Sequence, residues 1–188
     1  MKKYFTLICL LFTLATSAQT LALKTGSVLT YSVNANGSRY NFIITIMGWG
    51  DNRVFDYEMT APVSQTGNIT LTASALATAS AQTNRFSGGP VTLADRTTVW
   101  LSKAVFDGLK KNFQARISSD GDSPVTLLNN FEDQFNVIVD GKNIRLNIIY
   151  AEEQSGKPYK YWILNDADNP LILKMDLGWT IELIDVKL

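Results

Sequence analysis

Histidine is absent from the 188 residues, and the one cysteine, Cys9, falls inside an N-terminal stretch that reads as an export signal. A mature chain without either residue has no imidazole base, no Ser-His-Asp triad, no thiolate nucleophile and no histidine or cysteine zinc site. It can form no disulfide either, even in a compartment that would permit one, so its stability has to come from the core. Long hydrophobic runs are also scarce. Met1-Lys2-Lys3 supplies a short positive start, Tyr4 to Ala15 is almost wholly apolar, and Thr16-Ser17-Ala18 offers the small residues that signal peptidase requires. This pattern predicts a signal peptide over residues 1–18 and a single mature domain over 19–188. The apolar run is about a dozen residues, short of the ~20 that cross a bilayer, so the mature chain is expected not to be membrane-spanning. Leu7-Ile8 stand where a lipobox needs small residues, which argues against lipidation of Cys9. The expected location is outside the cytoplasm of a bacterium, in the periplasm or at the cell surface.

Excess charge of one sign is missing too. The chain carries 17 basic and 17 acidic residues, and removing Lys2 and Lys3 leaves a net charge of only −2. The mature chain has one pair of adjacent basic residues, Lys110-Lys111, far from the basic stripe that nucleic-acid binders carry. No nucleic-acid partner is expected, and charge gives no reason for attraction to a membrane surface. Proline is confined to positions 62, 90, 124, 158 and 170, all at expected strand ends or loops, as central strands require.

What is present is alternation with a period of two, from Ser27 onward. A two-residue turn at Asn36-Gly37 would pair Val33 with Tyr40, Tyr31 with Phe42 and Leu29 with Ile44, all apolar. A second, at Asp140-Gly141, would pair Val137 with Ile144 and Phe135 with Leu146 on one face, and Asn136 with Arg145 and Gln134 with Asn147 on the other. A slip of one residue would turn Phe135 and Val137 to solvent, so turn chemistry and patterning specify one register. Arg53 to Ala61 reads as a further strand. Asn68 to Ser80 continues the rhythm in small residues, with a helix as the alternative. Strands are also expected around Tyr159 to Leu164, Leu171 to Met175 and Trp179 to Val186, the first with apolar bulk on both faces. One segment reads as helix, residues 102–112, with Ser102 as N-cap and Val105, Phe106 and Leu109 on one side. Gly108 inside it costs about 1 kcal/mol against alanine, so docking has to hold it.

Carboxylates, lysines, serines and tyrosines remain for chemistry. A glycan hydrolase needs only two carboxylates. Asp56 with Glu58 and Glu152 with Glu153 are the available pairs, and the alternation puts both on solvated surface. Ser102 with Lys103 is accounted for by the cap. The loops 118–123 and 165–169 place oxygen-bearing side chains at alternate positions, as calcium prefers, but match no EF-hand, and the same residues are ordinary turn formers. No catalytic residue, metal ligand or cofactor is expected. Aromatics are the richer signal: Trp49, Tyr57, Trp100, Trp162 and Trp179 could contact an apolar ligand or sugar, or could be core. Trp49 stands out because Gly48 and Gly50 flank it at a turn.

The run Trp100-Leu101-Ser102-Lys103 with Phe106, then Trp162-Ile163-Leu164-Asn165-Asp166, Asn169-Pro170-Leu171-Ile172 and Trp179-Thr180-Ile181-Glu182-Leu183, resembles the exported β-domain family of unknown function labelled TapB-like. That resemblance implies a strongly curved antiparallel sheet with a helix against it, broadly like the half-barrel of periplasmic lipoprotein carriers, and brings no catalytic residues. The fold expected is therefore all-β with one short helix, a half-barrel or open barrel whose concave face holds Tyr31, Phe42, Ile44, Tyr57, Val137 and Leu146, with the helix alongside. Three functions fit. The first is a non-catalytic module sheltering a lipid-like or other apolar small molecule between sheet and helix. The second is a structural protein with a filled core and a protein partner on an edge strand. The carboxylate hydrolase ranks third.

Overall fold

The computed structural model describes residues 20–156 and 158–188, so the expected signal peptide lies outside the described residues. The first hairpin forms as its turn chemistry demands: β1 (Val28–Ala35) and β2 (Ser38–Trp49) meet at Asn36 and Gly37, whose φ angles of 52° and 78° suit a type I′ turn. Val33 faces Tyr40, Tyr31 faces Phe42 and Leu29 faces Ile44, all six in the expected register. β3 (Arg53–Met59) and β4 (Gln65–Leu71) extend this half of the sheet antiparallel.

The small-residue stretch that follows does not continue as a strand. Thr72 caps a helix, α1 (Ala73–Thr78), by accepting from the Ala75 N–H at 3.2 Å. Alanine's helix propensity and the threonine cap prevail here over the alternation, so the described residues hold two helices where one was expected. A short β5 (Ala81–Gln82) precedes β6 (Gly89–Leu93), which runs parallel to β4, and β7 (Arg96–Thr97). α2 (Lys103–Lys111) is the helix expected from Ser102, whose hydroxyl accepts from the Val105 N–H at 3.2 Å.

β8 (Gln114–Ser119) and β9 (Val125–Val139) lead into the second tight hairpin. Asp140 and Gly141 turn with φ of 48° and 75°, and β10 (Lys142–Glu153) returns with Val137 opposite Ile144 and Phe135 opposite Leu146. β11 (Lys160–Leu164), β12 (Ile172–Asp176) and β13 (Thr180–Lys187) complete a curved sheet ordered β6-β4-β3-β2-β1-β13-β12-β11-β10-β9-β8-β5-β7. The sheet is mixed and not purely antiparallel, because β4 with β6, β5 with β7 and β8, and β13 with β9 pair parallel.

β13 holds the halves together. One edge pairs with β1 over Val28–Asn34, and the other pairs first with β12 and then, at Asp185 and Val186, with the end of β9. The halves therefore fold over one apolar layer that contains Leu29, Tyr31, Phe42, Ile44, Phe55, Tyr57, Val137, Leu146 and Leu183, all buried. Each such side chain contributes roughly 1.5–3 kcal/mol by leaving water. A second layer lies on the opposite side of β10, β11 and β12, where Ile149, Ala151, Tyr161, Ile163 and Ile172 meet Val105, Phe106 and Leu109 of α2. Strand β11 therefore buries Tyr161 and Ile163 on the helix side and Leu164 on the other, where Trp162 is half-buried. The helix thus covers the back of the second half and not the face that holds Tyr31 and Phe42. Gly108 explains how close it sits: a Cβ there would lie 3.0 Å from the Gln114 carbonyl oxygen. Among the described residues no helix is long and apolar enough to cross a membrane.

The tip of the second hairpin also binds the C-terminus, since the Asp140 N–H donates to the Val186 carbonyl at 2.9 Å and the Leu188 N–H donates to Asp140 Oδ1 at 3.1 Å. Gly141→Val would force a β-branched side chain into a left-handed backbone at a cost of about 1–2 kcal/mol. The expected result is a lower urea midpoint with an unchanged slope; an unchanged midpoint would count against this turn.

Candidate functional site

Two registered rows of side chains make the floor of a crevice between the halves. Met175, Ile181, Val33 and Tyr40 form one row across β12, β13, β1 and β2, and Tyr31, Phe42 and Met59 form the next across β1, β2 and β3. All seven line the crevice, with Ile172, Val99, Thr98, Asn84, Phe86 and Trp179. Its cavity volume is about 40 Å³, set within about 460 Å³ of empty space when the mouth is included. It is a slot, thin enough to exclude bulky ligands. Tyr31 brings a buried polar group, but its hydroxyl donates to the Ile172 carbonyl at 3.0 Å, and burial raises its pKa far above the ordinary tyrosine range.

One wall is strained. Val99 is a buried β-branched residue at φ +64°, and the Trp100 N–H donates back to the Thr98 carbonyl at 2.6 Å, which makes a γ-turn. Such a conformation costs on the order of 1–3 kcal/mol and persists only where its surroundings over-determine it. Here they do. The Ile172 N–H donates to the Val99 carbonyl at 2.9 Å, the Leu101 N–H to the Pro170 carbonyl at 3.0 Å, and Trp100 Nε1 to Asn169 Oδ1 at 2.9 Å.

The other wall is a loop, residues 83–88, laid across the mouth. Phe86 packs its ring 5.0 Å from that of Phe42 and 4.9 Å from that of Tyr57. The Tyr57 hydroxyl accepts from the Gly88 N–H at 3.0 Å, Gln65 Nε2 donates to the Phe86 carbonyl at 2.7 Å, and the Asn84 N–H donates to Asp120 Oδ1 at 2.7 Å. Tyr57 reaches the loop because its strand partner is Gly67, where a Cβ would stand 2.6 Å from the tyrosine ring. Beyond Phe86 lies an outer pocket of about 540 Å³ of empty space, mouth included, lined by Tyr57, Ile69, Arg85, Val91, Leu93 and Arg96 among others. Phe86 is the only residue that lines both spaces.

The five aromatics singled out from the sequence do not converge. Trp179 lines the crevice, and Tyr57 is buried behind the loop that it pins. Trp100 is fully buried, 6.1 Å from Trp49 and 5.7 Å from Phe55 between ring centroids, and the Arg53 guanidinium lies 3.8 Å over the Trp49 ring. Trp162 belongs to a separate stack in which Phe131, Tyr150 and Trp162 follow one another across three strands at 4.7 and 5.0 Å. Phe86 and Val99, which shape the crevice, escaped the sequence reading. A lone phenylalanine just before Gly88-Gly89-Pro90 was the available signal.

Carboxylates of the acidic loops are engaged in hydrogen bonds within the protein. Asp120 accepts from Asn84, Asp122 accepts from Tyr159 at 2.8 Å, and Asp166 Oδ1 accepts from the Asp168 N–H at 3.0 Å. Among the described residues no three acidic side chains are grouped to hold a metal. Asp56 is tied to Asn68 at 2.7 Å, and Glu152 takes hydrogen bonds from Asn130 and Tyr150, each at 2.5 Å. What the fold and crevice define is an all-β domain with a narrow apolar slot under an aromatic loop. No protein-family model, curated protein or solved structure matches the chain.

Tyr57→Phe removes the acceptor for Gly88 and is expected to cost about 1 kcal/mol. Amide hydrogen exchange should quicken at Gly88 first; unchanged exchange there would contradict the pinning role. Alkaline pH supplies a second check. Desolvation, then the hydrogen bond to Glu152, push the Tyr150 pKa up to about 12 from 10.0. Unfolding releases that proton more readily, so stability is expected to hold below pH 10 and fall as pH rises towards about 12. The fall should be shallower in Tyr150→Phe when urea midpoints are compared across that window.

Proposed function

We propose that the chain is an exported, non-catalytic β-domain of the TapB-like kind that binds an apolar ligand, an alkyl chain or a flat ring system, in the crevice between the sheet halves. The observation that carries this reading is the slot itself: aromatic and aliphatic side chains from five strands line it and leave space between them, although the layer they belong to is otherwise buried. Ligand pockets are mostly apolar with a few polar groups, and Asn84 and Thr98 would play that part here. The slot is narrower than usual for a drug-sized ligand, so occupancy requires the 83–88 loop to lift. That loop is secured mainly by side-chain hydrogen bonds to its main chain, each worth about 1 kcal/mol, and not by a sheet ladder. The space lies between the two halves of the sheet and not under α2, whose interface with β10 and β11 is filled by the protein's own side chains.

The edge-docking alternative has less to build on. The outer strand β6 is five residues long and includes Pro90, which offers no N–H to a partner strand.

N-phenyl-1-naphthylamine, whose fluorescence rises in apolar surroundings, tests the proposal. The mature protein is expected to enhance and blue-shift its emission. Ile181→Trp, which fills the crevice from its floor, should weaken binding by about tenfold or more with an unchanged far-ultraviolet circular dichroism spectrum. Wild-type protein that leaves the emission unchanged would refute the reading.

A further inference from the structure

We infer that the ligand of this site is an anionic amphiphile whose acidic head is held by Arg85 and Arg96 in the outer pocket while its apolar tail passes Phe86 into the crevice. The inference rests on the apolar-binding reading and adds to it the chemistry of the head. Its basis is the adjacency of two unlike spaces. The inner slot is lined mostly by apolar side chains, and the outer pocket carries two guanidinium groups together with Thr83 and Ser87. Phe86 lines both, packed between Phe42 of the inner slot and Tyr57 of the outer pocket, so a displacement of its ring, with the loop that bears it, would join the two into a single channel that is apolar at one end and cationic at the other.

The charges favour an anion. Arg85 is exposed and has no acidic partner among the described residues. Arg96 is paired with its sequence neighbour Asp95, through Nε and Nη2, each at 3.0 Å. Both members of that pair are exposed, with side-chain accessibilities of 42% and 74%. Exposed pairs of this kind are weak, so Arg96 can turn to a ligand at little cost and still has its second terminal nitrogen to offer. Asp120, which accepts from the Asn84 N–H at 2.7 Å and from Asn84 Nδ2 at 3.3 Å, does not line the outer pocket, whose lining holds no carboxylate. Two guanidinium groups match a carboxylate, sulfate or phosphate head through charge-assisted hydrogen bonds, which a neutral hydroxyl head cannot make. An amphiphile would also account for the loop's composition. Phe86 touches the tail, and its neighbour Arg85 faces the head's pocket, so a single segment reads both ends of one molecule.

Displacement of bound N-phenyl-1-naphthylamine by dodecanoic acid and by dodecanol, below their aggregation limits, separates the parts of this proposal. The wild type should bind the acid about tenfold or more tightly than the alcohol, the difference narrowing as salt is added. Arg85→Gln with Arg96→Gln should remove that preference and leave dodecanol binding unchanged. Both positions are partly or fully exposed, so the fold should tolerate them. Equal binding of acid and alcohol by the wild type, or a preference that survives in the double variant, would overturn the head-group assignment and leave the apolar slot standing. Displacement by neither compound overturns the amphiphile. Absence of probe binding removes the slot reading as well.

Discussion

The pairing of β13 on both of its edges is the constraint from which the rest follows. A strand near the end of the chain satisfies its hydrogen bonds against β1 on one side and against β12 and β9 on the other. That obliges the two halves of the sheet to curve towards each other, and the side chains that alternate to the inside, Leu183 and Val186 among them, share one apolar layer. The register shift between Thr30 and Tyr31 accommodates the change of direction. Beyond it the row of Val33, Tyr40, Ile181 and Met175 borders open space, so the crevice is a consequence of how the two halves are joined.

Two features keep that space from collapsing. The γ-turn at Val99 holds a buried segment in a conformation that valine resists, and the Trp100 indole bonded to Asn169 locks the next residue in place. On the other side, the missing side chain of Gly67 lets the Tyr57 ring lie flat across β4 and present its hydroxyl to the 83–88 loop. A strained wall and a tethered wall face each other, and only the second is held by interactions that a ligand could replace.

The hairpins were legible because everything that determines them is local. Asn36-Gly37 and Asp140-Gly141 set the turn geometry, and alternation of Tyr31, Phe42, Phe135 and Leu146 selects the face without help from distant residues. The cap at Ser102 and the stripe of Val105, Phe106 and Leu109 were legible in the same way. α1 was read as strand because its alanines satisfy both patterns and the deciding contact, Thr72 to Ala75, is a choice between two weak local preferences. The parallel pairings and the face taken by α2 left no mark in composition. Of the aromatics, Trp179 reaches the crevice, whereas Trp49, Trp100 and Trp162 pack into two other aromatic groups, since a strand position says that a ring is turned inward or outward but not what it meets.

By itself, then, the order of residues determined a β-rich chain with two tight reversals and one amphipathic helix, and a composition with no histidine and a single cysteine, because each depends on a handful of neighbours or on none. Only the tertiary structure decided that the last strand would bridge the first and the ninth, that the helix would cover the back of the sheet, and that Phe86 would line both an apolar slot and a pocket with two arginines. Those outcomes are set by contacts between residues many positions apart, where the free-energy differences belong to whole packed layers and cannot be read from any single stretch of sequence.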